Sequence, residues 1–362
     1  MKNSNSYCGK NTNRFSKCIA VMAAMLFYSC SAFGSHFEHG TAFYVDQDLF
    51  IPAKNEDRDY TMGIAVEFFK HDLEKHASVI AWLHQFIDRS LKPHWSNLFG
   101  AANKENEVVL KSVKIGQSVF TPDDIGESDP IYTDRPYSSL LYLAGKHIEF
   151  RGNTVIGSEL EIGILGLNIA PKVQKWIHTN YRKISGTDEP VDPKGWDHQI
   201  SEGGEPTLKY RLSFGNLLLQ SSNEWWDIAG SSDINLGYQT NISVGLQARV
   251  GLIHSPFWTV PFDPVNRGNF APSTSGNEAY LWMVHRARAI GYDALLQGQF
   301  MDSDVTFESG DIKRFVIESA LGATAAFQNL QLTLSLNAKT AELNSQADRN
   351  HYWGGIYAVY RY

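Results

Sequence analysis

The sequence predicts an all-β fold, a transmembrane antiparallel β-barrel of about twelve strands, and three observations predict it. Stretches of roughly ten residues alternate apolar and polar side chains, the period of a strand with two different faces. No later segment holds an uninterrupted apolar run long enough for a membrane-spanning helix. The last residues, Tyr352 to Tyr362, read as a strand closing on an aromatic, as outer-membrane barrels commonly do.

Taken in order, residues 1–34 read as a secretory signal. Lys2, Lys10, Arg14 and Lys17 precede a mostly apolar run with no acid among them, and Ala32-Phe33-Gly34 places small residues at a cleavage site. A lipoprotein signal ending at Cys30 is disfavoured by the bulky Phe27 and Tyr28 before it. All three cysteines, Cys8, Cys18 and Cys30, lie in this leader. A mature chain of residues 35–362, a single barrel domain, is therefore expected to have no disulfide, no cysteine nucleophile and no cysteine-ligated metal. Without the four leader charges, 28 basic and 39 acidic residues leave a formal charge of −11. That balance argues against nucleic acid as a partner.

The alternation is clearest in Thr154 to Leu167, Leu208 to Leu219, Ile242 to Ile253 and Leu330 to Leu343. Strands are expected over 41–50, 59–70, 107–120, 137–150, 153–169, 205–219, 223–237, 240–253, 278–297, 312–327, 329–342 and 351–361. The even count is what a single-chain bacterial barrel requires. With the first strand starting in the periplasm, connections 51–58, 121–136 and 170–204 lie at the cell surface. Connection 71–106 falls on the periplasmic side, and residues 254–277, rich in Pro, Asn, Ser and Gly, read as a loop. Leu73 to Leu91 carries Val79, Ile80, Leu83, Phe86 and Ile87 at helical spacing, and is expected to be an amphipathic helix on the barrel rim or membrane surface, with a packing role.

Within the 170–204 connection, Gln174-Lys175-Trp176-Ile177-His178 precedes Gly195-Trp196-Asp197-His198-Gln199. On a helix, Gln174 and His178 share a face, so an amide and an imidazole would converge on one group. The pattern is no zinc signature, since it lacks His-Glu-x-x-His. Taken alone, it is an amphipathic surface helix with one histidine. Three further segments accompany it: Asp46-Gln47-Asp48-Leu49-Phe50; Asp59-Tyr60-Thr61-Met62-Gly63; and Gly116 to Pro122 with Asp134-Arg135-Pro136-Tyr137.

In this order and spacing, the four segments resemble the lipid A 3'-O-deacylase family of Gram-negative outer membranes, over about residues 41–362. The resemblance implies a barrel with a short helix in an extracellular loop. Its implied activity is calcium-dependent hydrolysis of the 3'-linked acyloxyacyl ester of lipid A, with lipopolysaccharide and outer-membrane lipid as partners. The protein would work as a monomer in the cell outer membrane, its site facing the outer leaflet. The family's histidine falls on His178, its glutamine on Gln174, its Asn-Asp pair on Gln47 and Asp48, and its threonine on Thr61. Gln47 departs from the family's asparagine. The family's lysine before the Asp-Arg pair has no counterpart, Tyr132 and Thr133 standing there, with Arg135 a candidate substitute. The acid following the family histidine falls on Asp188 or Glu189.

The residue chemistry is consistent with these roles. A histidine is the usual base for taking a proton from water near neutral pH. Ca²⁺ is a hard cation that takes oxygen ligands, and Asp48 and Thr61 offer them. By default Asp48 is a turn acid, Thr61 a strand residue and Asp134-Arg135 an ion pair or an aligned lumen pair. Two other readings stay open: an outer-membrane phospholipase with a serine nucleophile, for which Ser138 and Ser139 lack a Gly-x-Ser-x-Gly elbow, and a non-catalytic porin.

Overall fold

A computed structural model describes residues 39–51, 58–70, 79–98, 107–176, 192–260, 277–346 and 349–362. The strands are β1 (His39–Gln47), β2 (Asp59–Lys70), β3 (Glu107–Thr121), β4 (Ser138–Arg151), β5 (Thr154–Leu165) and β6 (Glu205–Gln220). They continue with β7 (Trp226–Gly237), β8 (Gln239–Leu252), β9 (Glu278–Asp293), β10 (Phe315–Phe327), β11 (Leu330–Lys339) and β12 (His351–Arg361). Each pairs antiparallel with its sequence neighbour, and β1 pairs with β12 from Gly40↔Arg361 to Gln47↔Gly354, closing the barrel. Closure removes every sheet edge, which hydrocarbon would otherwise leave unsatisfied.

The strand β11 shows why the chain takes this form in a membrane. Leu330, Leu332, Leu334 and Leu336 point outward, while Gln331, Thr333, Ser335 and Asn337 are buried inside. Apolar-out and polar-in is the reverse of a water-soluble sheet. The turns at 152–153 and 328–329 lie at the end where β1 begins and β12 stops, the periplasmic end when the first strand starts in the periplasm. No described helix is long and apolar enough to cross a membrane.

Salt bridges fill the lumen: Lys114–Glu159 at 3.1 Å, Lys146–Glu67 at 3.0 Å, Arg211–Asp233 at 2.7 Å and Arg286–Glu318. Toward the periplasmic end, Phe257 and Trp258 pack on Ile148, Val155 and Ala229. At the opposite end, helix turn Ala294–Gln297 sets Ala294 and Leu295 among Tyr60, Phe120, Tyr142, Tyr238 and Trp353. Among the described residues these ion pairs and apolar clusters occupy the inside of the barrel.

Several expected bounds change for local reasons. The first strand stops at Gln47 because Asp48–Phe50 form a 3-10 turn. The expected strand 153–169 stops at Leu165, where Gly166 takes φ +72°. The expected strand 278–297 stops at Asp293, whose carboxylate accepts the Leu295 N–H and caps the helix turn. The expected strands 312–327 and 329–342 are shorter at the same end, Ile312 and Leu343 forming only an isolated bridge.

Helix α1 (Val79–Leu98) follows β2 and lies on the outside of the wall; the expected helix Leu73 to Leu91 runs on to Leu98, and residues 73–78 lie outside the described residues. Ile80 packs on Leu160, Tyr210 and Leu212. These share strand parity with the exposed Ile162, Ile164 and Leu208, not with the lumen-facing Glu159 and Lys209.

Candidate active site

The candidate site forms at the extracellular end of β1, β2 and β3. Along β2, Tyr60 pairs with Phe120 and Met62 with Val119, so Thr61 is the extra residue of a β-bulge. The bulge flips parity: Tyr60 packs in the lumen beside Phe120, while Met62 faces outward with Ile64. Gln47 pairs with Met62 and so lies on the same outer face. Thr61 is buried, its hydroxyl 2.6 Å from that of Thr121. The turn Asp48–Phe50 folds over β12, where a Cβ on Gly354 would lie 2.6 Å from the Phe50 Cβ. Only glycine admits that approach. It fixes Asp48, which is buried and accepts from the Gln47 amide at 3.3 Å. Asp46, two residues before Asp48, faces the lumen and accepts from Tyr60 and Tyr357.

Above this edge lies helix α2 (residues 170–176), with Pro171 in its first turn, where proline's missing N–H costs nothing. Ala170 and Val173 pack with Met62, Val119, Ile125, Tyr137 and Trp196. Gly195 at φ +76° opens the 3-10 turn Trp196–His198, and its missing side chain lets Tyr137 approach. The Trp196 and Tyr137 rings sit 4.6 Å apart, and the indole N–H donates to Gln174 Oε1 at 2.8 Å. Gln174 is 4% exposed, and its Nε2 has no hydrogen-bond partner among the described residues. One end of the amide is therefore anchored and the other is available.

At the extracellular mouth beside this site, Asp134 and Arg135 do not pair with each other's side chains. Arg135 pairs with Glu342 and lies 4.2 Å over the Phe120 ring. Asp134 pairs with Arg349 at 2.6 Å, and Arg349 also reaches Asp59 at 2.8 Å. The expected ion pair is thus two pairs to the 340–350 connection. Burial would raise the Asp134 carboxyl, yet hydrogen bonds from Arg349 and the Asp123 N–H hold it below the ordinary range. Burial would likewise raise Glu342, but Arg135 and Lys339 bring it down to about 2. Glu342 and Arg349 lie more than two hundred residues from their partners, and no sequence signal marked them.

The structure places Gln47, Asp48 and Thr61 at the extracellular end of β1 and β2, and packs the helix that carries Gln174 against Met62 there. His178, Asp188 and Glu189 lie outside the described residues. No cluster of three His, Cys, Asp or Glu suited to a metal occurs among the described residues. Ser139 bonds to the Gln199 side chain and the Leu167 carbonyl, and Ser138 is fully buried; among the described residues neither bonds to a histidine.

Comparison with known proteins bears on the fold. LpxR from Salmonella typhimurium superposes with a TM-score of 0.63 at 15% identity, covering 89% of this chain and 100% of that one. An outer membrane channel from Pseudomonas putida F1 gives 0.41 at 10% identity, covering 91% and 97%. The β domain of the Bordetella autotransporter BrkA gives 0.39 at 9%, covering 90% and 98%. Comparison with curated proteins gives no match. The family model described as outer membrane protein LpxR matches residues 18–362. With a closed twelve-stranded barrel and a match over nearly its whole length, the chain belongs to the LpxR family of outer membrane proteins.

Proposed function

We propose that the protein is an outer-membrane esterase that hydrolyses the 3'-linked acyloxyacyl group of lipid A, with His178 as general base. The observation that carries this reading is the position of helix α2. It is clamped on the lipid-facing wall, with Gln174 held by Trp196 above the edge that bears Gln47 and Asp48. A site on the wall is reached sideways by a lipid of the outer leaflet, whereas the lumen is filled by ion pairs. Lipid A, the substrate the family resemblance implies, sits in that leaflet.

In this reading His178, four residues after Gln174 in the sequence, takes the proton of the attacking water. Gln174 Oε1 is fixed by the indole, so its Nε2 is the group that orients water, ester or imidazole. The oxygen donors at the edge, the Asp48 carboxylate and the Thr61 hydroxyl, suit a hard cation, and these two would hold Ca²⁺. When bound, calcium supplies positive charge for the developing oxyanion.

A serine nucleophile fits less well. The described outer wall holds Ser158 with His84 at 3.1 Å and Ser319 with His285 at 2.8 Å. In the first, Asp88 approaches the same imidazole nitrogen as the serine, so it cannot orient the ring as a triad acid does. In the second, no described carboxylate pairs with the imidazole. The test is mass spectrometry of lipid A from cells with and without the protein: loss of the 3'-linked acyloxyacyl mass is expected, and an unchanged lipid A would overturn the reading.

A further inference from the structure

Helix α1 lies over a break in the apolar belt. On the extracellular half of β4, β5 and β6 the outward residues are exposed and apolar: Leu143, Ile162, Ile164 and Leu208. On the periplasmic half the same face turns polar, with His147 and Glu149 on β4 and Ser158 on β5. Bare to hydrocarbon, such groups are costly. Asp88 and His84 of the helix meet His147 and Ser158. A Cβ on Gly145, midway along β4, would lie 3.5 Å from His84 Nδ1 and 3.7 Å from Ile80. The helix thus starts at mid-barrel height and runs toward the periplasmic end, where Asp88 meets His147.

Asp88 fastens it. Its carboxylate accepts from Ser158 at 2.8 Å and from Tyr210 at 2.9 Å, and lies 3.3 Å from His147 Nδ1. It is 6% exposed, so these neighbours replace its water. With Ile80, Leu83, His84 and Ile87 turned to the wall, the opposite face carries Trp82 and Phe86. They stack on each other at 6.0 Å and are 62% and 60% exposed, on the same side of the wall as the lipid-facing leucines. Arg89 and Ser90 follow on the exposed side nearer the periplasmic end. An aromatic pair followed by polar residues along one exposed face is how a helix sits at a membrane interface.

We propose that α1 is a lipid-embedded helix whose Trp82–Phe86 face lies among the acyl chains of the periplasmic-leaflet phospholipids, restoring the apolar belt over the polar sector of β4 and β5. The occupant is lipid because the surface continues the face that the barrel already presents to the membrane.

The experiment uses the full chain folded into phosphatidylethanolamine–phosphatidylglycerol vesicles with bromine on the acyl chains. Emission of Trp82→Phe is subtracted from wild type to isolate Trp82 among the nine tryptophans. The proposal expects that difference to be blue-shifted, strongly quenched by the brominated lipid and insensitive to iodide in the water. Quenching by iodide with none by bromine would place the face in water and overturn the proposal. Shielding from both would show a protein partner on it and overturn it equally. Nitroxide labels at Phe86→Cys and Ser90→Cys give a second readout that does not depend on Trp82→Phe folding. Position 86 should lie deeper in the bilayer than position 90, and equal aqueous accessibility at both would contradict the account.

Discussion

Two helices ride on the outside of one barrel, and they are held in opposite ways. Helix α1, over the periplasmic half, buries a carboxylate whose Ser158, Tyr210 and His147 neighbours satisfy it. Helix α2, over the extracellular end, is held by apolar packing on Met62 and Val119, by an exposed Lys175–Asp192 pair and by an indole–amide bond to Gln174, whose Nε2 has no partner among the described residues. A polar group saturated by its neighbours has nothing left to offer a substrate, while an amide anchored at one end does. The difference separates a fastening from a site. It also explains why Ser158 and His84, despite their contact, belong to the fastening.

The largest expected effect lies under α2. Asp48→Ala, or a chelator on the wild type, should reduce release of the 3'-linked acyl group to background, while heat-modifiable gel mobility shows an intact barrel. Calcium should restore only the chelated wild type, and full activity in a chelated sample would break the metal assignment. Next, Trp196→Phe keeps the ring against Tyr137 but removes the donor to Gln174. Loss of one such bond is worth roughly 0.5–1.5 kcal/mol, so turnover should fall about two- to tenfold. Combined with Gln174→Ala it should add little, since both act through one amide. Additive losses would mean that Trp196 acts elsewhere.

A smaller effect is expected at the mouth. Glu342 titrates lower in the folded protein than the ordinary glutamate value of about 4.3. Its contribution to stability is therefore complete above that value and is lost as pH falls toward about 2. Glu342→Gln should remove this acid-sensitive step from unfolding curves taken between those limits, with a modest change in turnover. The smallest effect on activity should come from Asp88→Asn. It should loosen α1, at a cost of about 1–3 kcal/mol, and increase protease cutting near Val79–Leu98 without altering acyl release. A large loss of activity in that variant would erase the contrast between the two helices.

How much of this was legible in the sequence depends on how local the cause is. Alternation along β11 needs only its own side chains, so strand positions could be read directly. The bulge at Thr61 could not, because the parity change between Tyr60 and Met62 exists only against β3. The helical spacing of Ile80, Leu83 and Ile87 gave α1, yet Phe86, counted in the same apolar set, turns away from the barrel. His84 and Asp88, the polar residues on the buried face, carry no mark of burial until β5 and β6 stand beneath them. Arg135 and Asp134 were legible as charges, but their partners Glu342 and Arg349 come from the other end of the chain. Gln174 was legible as a motif, and Trp196 as its anchor was not, because that bond spans a loop.

The most direct test is the rate at which purified, folded His178→Gln protein releases the 3'-linked acyl group from lipid A, beside wild type. The substitution keeps polarity and much of the volume but removes the base. The rate should fall roughly 10²–10⁴-fold, the usual contribution of general acid–base catalysis, with heat-modifiable mobility unchanged. A folded variant working at near wild-type rate would remove the histidine from the chemistry and leave α2 a packing element like α1.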